Sequence, residues 1–145
     1  MDIRRILARK GNDVQTIGPR ATIGDAVDRM VEVGISALVV TEDGATIAGI
    51  VSDRGIIRAM ARRGTDILTD RVATVMTAEV ITCTPDDSIE SVMQTMTGRR
   101  IRHIPVVDDD GLLIGLVSIG DAVKHRLDEM AEETEAMREY IAGSR

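Results

Sequence analysis

The sequence predicts an α/β protein: two β-α-β-β-α units packed through their sheets as an intramolecular pair, with a long C-terminal helix after them. Three observations carry this expectation. The chain repeats itself at an offset of 66 residues. Within each repeat the apolar spacing moves between helical and strand periods. From Val123 onward the apolar positions Val123, Leu127, Met130, Thr134, Met137 and Ile141 alternate spacings of four and three, as on one long helix.

The repeat emerges when "TIGPRATIGDAVDRM" (16–30) is laid over "TCTPDDSIESVMQTM" (82–96). Pro19 falls on Pro85, Thr22 on Ser88, Ile23 on Ile89 and Met30 on Met96, and the register runs on through Ile35 and Ile101, Val40 and Val106, Gly49 and Gly115, Ser52 and Ser118. A shared offset over this length marks an internal duplication. It divides the chain into a first unit (1–68, with an N-terminal helix), a second unit (69–125) and a helical extension (126–145). One unit of about fifty residues buries too little apolar surface to stand alone comfortably, so the two are expected to pack together.

Each unit opens on a short extended segment, Val14 to Ile17 and Val80 to Thr82, which a proline then ends. A helix follows. Thr22 with Asp25 resembles a capping box, and Asp87 with Glu90 offers a similar pairing in the second unit. Two apolar runs joined by acidic-glycine turns come next, "SALVV" to "TIAGIVS" and "RHIPVV" to "LLIGLVS", and these predict antiparallel hairpins. The triple Asp108 to Asp110 lacks the spaced ligands and distal glutamate of a calcium loop and is read as a solvated turn. Second helices are predicted over Arg54 to Ala61 and from Asp121 onward, with Gly64 to Asp70 as a linker.

Composition narrows the function. A formal charge of −6 opposes non-specific binding to nucleic acid or anionic membrane, which needs a broad positive field. Tyr140 is the single aromatic residue, so the core is aliphatic and methionine-rich and the usual platforms for stacking bases are missing. No apolar run is long enough to span a bilayer, and "MDIRRILARKG" lacks the apolar stretch of a secretion signal, so a cytoplasmic location is expected. Cys83 is alone and sits in "VITCT", where a buried filler is expected rather than a nucleophile. His103 and His125 are the only histidines, His125 being expected exposed on the tail helix, and there is no HExxH, nucleophile elbow or P-loop; catalysis is not expected, and no metal is.

The duplicated unit, with "ISALVVTEDGATIAGIVSDR" in the first copy and "IRHIPVVDDDGLLIGLVSIGDAV" in the second, resembles the cystathionine β-synthase (CBS) domain, two of which form a Bateman module. The likeness runs from about Ile3 to Lys124 and implies a stand-alone tandem pair that binds an adenosine-containing ligand (AMP, ADP, ATP, NAD or S-adenosylmethionine) in a cleft between the paired domains. The signature Gly-h-h-Ser/Thr-x-x-Asp, h being apolar, is whole in the second copy, from Gly115 to Asp121. The resemblance places Thr82, Ile101 and Arg102 around the adenine with Leu116 beneath it, and adds Pro105 to the ligand-binding set.

The chemistry of these residue types agrees. An ionised Asp121 is acceptor-only and can take both ribose hydroxyls, while Ser118 opens a helix whose free N–H groups favour an anion. A plain helix cap accounts for the same two residues. The flanking "RRIRH" favours a site, because Arg102 and His103 stand just before a strand expected to line the cleft, whereas Arg99 and Arg100 also suit a helix C-terminus.

The first copy departs from the signature: Gly55 occupies the place of the ribose-reading aspartate. Losing a charge-assisted bond of that kind costs about 1.5 to 3 kcal/mol, so the first-copy site, with Thr16, Ile35, Ser36, Ile50 and Ser52, is expected to be weak, vacant or differently occupied. Arg54, at a helix start near the shared axis, is placed to reach a phosphate held by the other copy. The expected function is a non-enzymatic adenine-nucleotide sensor that controls an unidentified protein target as a C2 homodimer. A structural homodimerisation module with vestigial clefts is the alternative. The tail seam has two readings, an intermolecular coiled coil or a helix packed on its own domain.

Overall fold

The computed structural model describes residues 1–143. Helix α1 (Ile3–Lys10) precedes a three-stranded sheet of β1 (Thr16–Ile17), β2 (Ala37–Val40) and β3 (Gly49–Ser52), with α2 (Ile23–Val33) and α3 (Asp53–Arg63) in the same unit. The second unit has α4 (Ile89–Arg99), a hairpin of β4 (His103–Val107) and β5 (Leu113–Ser118), and α5 (Ile119–Gly143). Strand β2 is central, parallel to β1 and antiparallel to β3. Among the described residues no helix is long and apolar enough to cross a membrane.

The caps explain where the helices start. Thr22 and Asp25 form the reciprocal capping box that their spacing suggests, Asp25 N–H donating to Thr22 Oγ1 (3.0 Å) and Thr22 N–H to Asp25 Oδ2 (3.2 Å). In the second unit the cap is Ser88, which accepts from Ser91 N–H at 3.1 Å, and not the Asp87–Glu90 pairing. Asp87 instead accepts from Thr84 N–H and ties the preceding turn. In the first hairpin Asp43 accepts from Ala45 N–H, Thr46 N–H, Thr46 Oγ1–H and Thr41 Oγ1–H. The bonds from Thr46 and Ala45 lead in holding its carboxyl far below the ordinary range.

The extended segment expected over Val80 to Thr82 is reduced to a single parallel bridge between Cys83 and Val106. Proline supplies the reason. In the first unit Val39 N–H donates to Gln15 O (3.3 Å) and Thr41 N–H to Ile17 O (3.0 Å). The second bond has its counterpart in Val107 N–H to Cys83 O (2.9 Å), but the first cannot form, because Pro105 stands where Val39 does and has no N–H.

Two aliphatic cores result, matched position by position. Ile23, Ala26, Met30, Leu38, Val40 and Val51 pack in the first, and Ile89, Val92, Met96, Ile104, Val106 and Val117 in the second. Cys83 is buried in the second core; burial, with the Asp87 charge behind it, pushes its thiol up to about 12, so it packs as a small apolar group.

The segments in front of the two units are exchanged. Helix α1 sends Ile3, Ile6 and Leu7 into the second core. The equivalent stretch 66 residues on, expected to be in part a linker, folds into 3-10 turns at Thr65–Thr69 and Val72–Thr74, and buries Ile67 and Val72 in the first core. Each segment closes over a glycine. A Cβ on Gly115 would lie 2.6 Å from Leu7 Cδ2, and one on Gly49 would lie 2.6 Å from Met76 Sδ and 2.8 Å from Thr77 O.

Helix α5 has two faces. Its start is held on the domain by buried Ala122 and His125. His125, expected exposed, is 4% accessible, with Nε2 3.3 Å from Met1 Sδ and Nδ1 without a hydrogen-bond partner among the described residues. Arg9 on α1 pairs with Asp128 (3.1 Å) and Glu132 (3.3 Å). On the other face Val123, Leu127, Met130 and Met137 are exposed, as is Tyr140. The seam therefore does not pack on its own domain.

The two glycines predict unequal costs of a methyl group. Gly115→Ala meets the movable end of a leucine, whereas Gly49→Ala meets a backbone carbonyl as well. Urea unfolding is expected to show Gly49→Ala destabilised by about 1–3 kcal/mol, the range for overpacking, and Gly115→Ala by less.

Candidate functional site: two clefts between the units

The duplication repeats one backbone hydrogen bond within each unit: Asp53 N–H donates to Ser36 O (3.0 Å), and Ile119 N–H to Arg102 O (2.8 Å). Each bond fixes the start of a helix beside the strand that precedes the hairpin turn of its own unit. Across the units Arg102 Nη2 donates to Asp53 Oδ1 (2.7 Å), Ser36 Oγ and His103 Nε2 share a hydrogen bond of 3.1 Å, and Leu113 N–H donates to Ala45 O (2.8 Å).

Two clefts lie on this interface. The larger, of about 570 Å³, joins Leu116, Ser118 and Asp121 of the second unit to Val14, Gln15, Ile35, Ser36 and Ala37 of the first, with Lys10 and Asp13 at its edge. The smaller, of about 290 Å³, joins Ile50, Ser52, Arg54, Gly55 and Arg58 of the first unit to Glu79, Val80, Ile81 and the run Arg99 to His103 of the second. His103 lines both.

This partition corrects the grouping expected from sequence. Arg54, Ile101 and Arg102 do not share a cleft with Leu116, Ser118 and Asp121; they line the smaller one with Ile50 and Ser52. Ile35 and Ser36, assigned to the weaker first-copy site, stand opposite Asp121 in the larger cleft. The cause is the approximate two-fold: the helix start of one unit faces the strand entrance of the other, so every cleft draws on both repeats. Thr82, Thr16 and Pro105 line neither cleft. Thr82 is exposed, Pro105 is buried within β4, and Thr16 lies in a separate depression with Thr41 and Arg29. Sequence reasoning missed Lys10, Val14 and Gln15; for the last two the signal was present, since they directly precede β1.

Local geometry at Asp121 combines a cap with an ion pair. Ser118 Oγ accepts from Asp121 N–H (3.1 Å), and Asp121 Oδ2 accepts from Ser118 N–H (2.9 Å), the reciprocal pattern of a capping box. Lys10 Nζ donates to the same Oδ2 at 2.6 Å and to Leu116 O at 2.8 Å. Burial raises the Asp121 carboxyl, but the Lys10 hydrogen bond and charge and the Ser118 N–H and hydroxyl outweigh it and hold the group below the ordinary carboxylate range. Asp121 is therefore an ionised acceptor near neutrality.

His103 is shifted the other way from a cationic partner. Burial is the leading cause, and the Arg102 charge adds to it, against opposing contributions from Asp53 and Asp121. The imidazole is neutral at pH 7. Among the described residues no group of three or more His, Cys, Asp or Glu is arranged to hold a metal ion.

A duplicated β-α-β-β-α module with paired clefts at its two-fold interface is the class that fold and site define. The CBS domain family matches the chain twice, over residues 3–62 and 72–128. The chain belongs to that family, as a tandem pair of CBS domains. It is 40% identical over 126 residues to the mitochondrial CBS domain-containing protein CBSX3 of Arabidopsis thaliana, covering 84% of this chain and 61% of that protein. A CBS-domain protein from Agrobacterium tumefaciens superposes with a TM-score of 0.83 at 37% identity, covering 87% of this chain and 99% of the other. A CBS domain protein from Pyrobaculum aerophilum, solved in complex with AMP, shares the fold at a TM-score of 0.72 and 24% identity, covering 83% of this chain and 89% of that one. The chain spans 61%, 48% and 25% of the length of three curated relatives that it matches.

The neutral imidazole predicts a pH dependence. A base whose folded-state pKa is lowered takes up its proton more readily when unfolded, so stability falls as the pH drops below about 6.5, the ordinary imidazole value. Chemical denaturation between pH 7.5 and 5 is expected to show a shallower loss for His103→Gln than for the parent protein.

Proposed function

We propose that this protein is a non-enzymatic regulatory module that binds an adenosine-containing ligand in the larger cleft and passes the bound state to a protein target. Asp121 carries this reading. Its Oδ2 is engaged by Lys10 and by the Ser118 N–H, while its Oδ1 takes no hydrogen bond among the described residues. An ionised carboxylate with one oxygen open, at a cleft also lined by Leu116 and Ile35, suits a ribose diol next to an apolar base. Lys10 supplies a positive charge beside it for a phosphate. The AMP carried by a protein of the same fold makes AMP the first ligand to test, with ADP, ATP, NAD and S-adenosylmethionine after it.

Ligand held between the units tightens both, adding about 2.7 kcal/mol of stability at a hundredfold excess over Kd. For signalling the ligand must favour one arrangement of the assembly over another, since equal affinity shifts nothing. The exposed apolar positions of α5 favour a C2 homodimer as that assembly. The Ser118–Asp121 capping geometry favours a second reading, in which the signature is retained as a helix start and the module serves dimerisation alone.

A thermal-shift series separates the two. At least one adenosine compound is expected to raise the melting temperature by several degrees; Asp121→Ala is expected to lose most of that rise and Ser52→Ala, in the other cleft, little of it. No shift with any adenosine compound on folded protein rejects ligand sensing. Equal loss in both variants rejects the assignment to the larger cleft.

A further inference from the structure

We infer that the smaller cleft is a site of its own for a compact polyanion, a chain of two or three phosphates, whose recognition needs no ribose. Four arginines line it, Arg54, Arg58, Arg99 and Arg100, against one carboxylate, Glu79, and none of the four has an ion-pair partner among the described residues. The fifth, Arg102, is held by Asp53. In a chain with 24 acidic and 18 basic residues, unpaired guanidinium groups gathered at one cleft repel one another and await an anion. Their planar forks match phosphate oxygens.

Backbone conformation gives a second, independent observation. Helix α2 ends on Gly34 in the left-handed region (φ 77, ψ 39), where glycine is at ease. Helix α4 ends at the equivalent position on Arg100, also left-handed (φ 55, ψ 42), the one non-glycine residue with positive φ among those described. A side chain is thus kept where its backbone prefers none, at the mouth of the arginine cleft. Strain of this kind marks a functional constraint.

The same cleft is built against a nucleoside. Gly55 replaces the diol acceptor, and the volume of about 290 Å³ is half that of the Asp121 cleft, at the lower bound for small-molecule sites. The phosphate chain has two possible sources: a free inorganic oligophosphate, or the tail of a nucleotide whose nucleoside occupies the larger cleft. The clefts meet at His103, which lines both.

Isothermal titration of the full chain with inorganic triphosphate, adenosine and ATP tests this. Triphosphate is expected to bind the parent protein and Asp121→Ala alike, and to weaken about tenfold or more in Arg100→Gly and in Arg58→Gln, as for loss of a charged hydrogen bond. Arg100→Gly is also expected to melt no lower than the parent without ligand, because glycine relieves the left-handed strain; this separates lost binding from lost folding. Weakening of ATP by both Asp121→Ala and Arg100→Gly assigns the phosphates to a nucleotide, and triphosphate binding as tight as ATP assigns them to a free oligophosphate; either result supports the site. Absence of triphosphate binding, or binding undiminished in both arginine variants, overturns it. Adenosine judges the Asp121 reading by itself, since its binding is expected to survive Arg100→Gly and to be lost in Asp121→Ala.

Discussion

Neither half of this protein closes its own core. The second unit needs Leu7 from the chain terminus to cover Gly115, and the first needs the Met76–Thr77 segment, which belongs by register to the second, to cover Gly49. This exchange ties the units into one object about an approximate two-fold axis. It also brings Lys10, at the end of the exchanged helix, to Asp121. With so few aromatics available, close approach of backbone and aliphatic side chains over glycine replaces bulk.

From that constraint the clefts follow. Two units related by a two-fold present the helix start of one to the strand entrance of the other, twice, and the repeats then diverged in what they place there. One cleft has an acidic side chain at the helix start; the other has glycine there and gathers arginines from both units, Arg54 and Arg58 from the same helix as Gly55 and Arg99, Arg100 and Arg102 from the opposite unit. A single duplication thus yields two pockets of opposite electrostatic character, although both are assembled by the same backbone hydrogen bonds.

Most of the fold was legible because each local signal agreed with the global one. Thr22 and Asp25 cap as spaced, the paired core positions are all apolar, and the seam on α5 lies along one exposed face. The misreadings have physical causes. Pro105 removes a ladder bond whose importance shows only when its partner Gln15–Val39 pair is seen. His125 faces inward because Met1 and α1 pack against α5, contacts between residues over a hundred positions apart. Grouping Arg102 with Asp121 treated each repeat as having its own cleft, whereas each cleft is lined by both units; periodicity along one chain carries no information about which unit an edge faces.

The lone aromatic ring has an optical consequence. Tyr140 is 75% accessible and lies on the distal part of α5, remote from both aliphatic cores. Ultraviolet emission from this molecule consequently reports the surroundings of one projecting helix and is silent about the interior, so a spectral change on adding a small molecule or raising concentration reads the tail alone, a built-in beacon for whatever meets it.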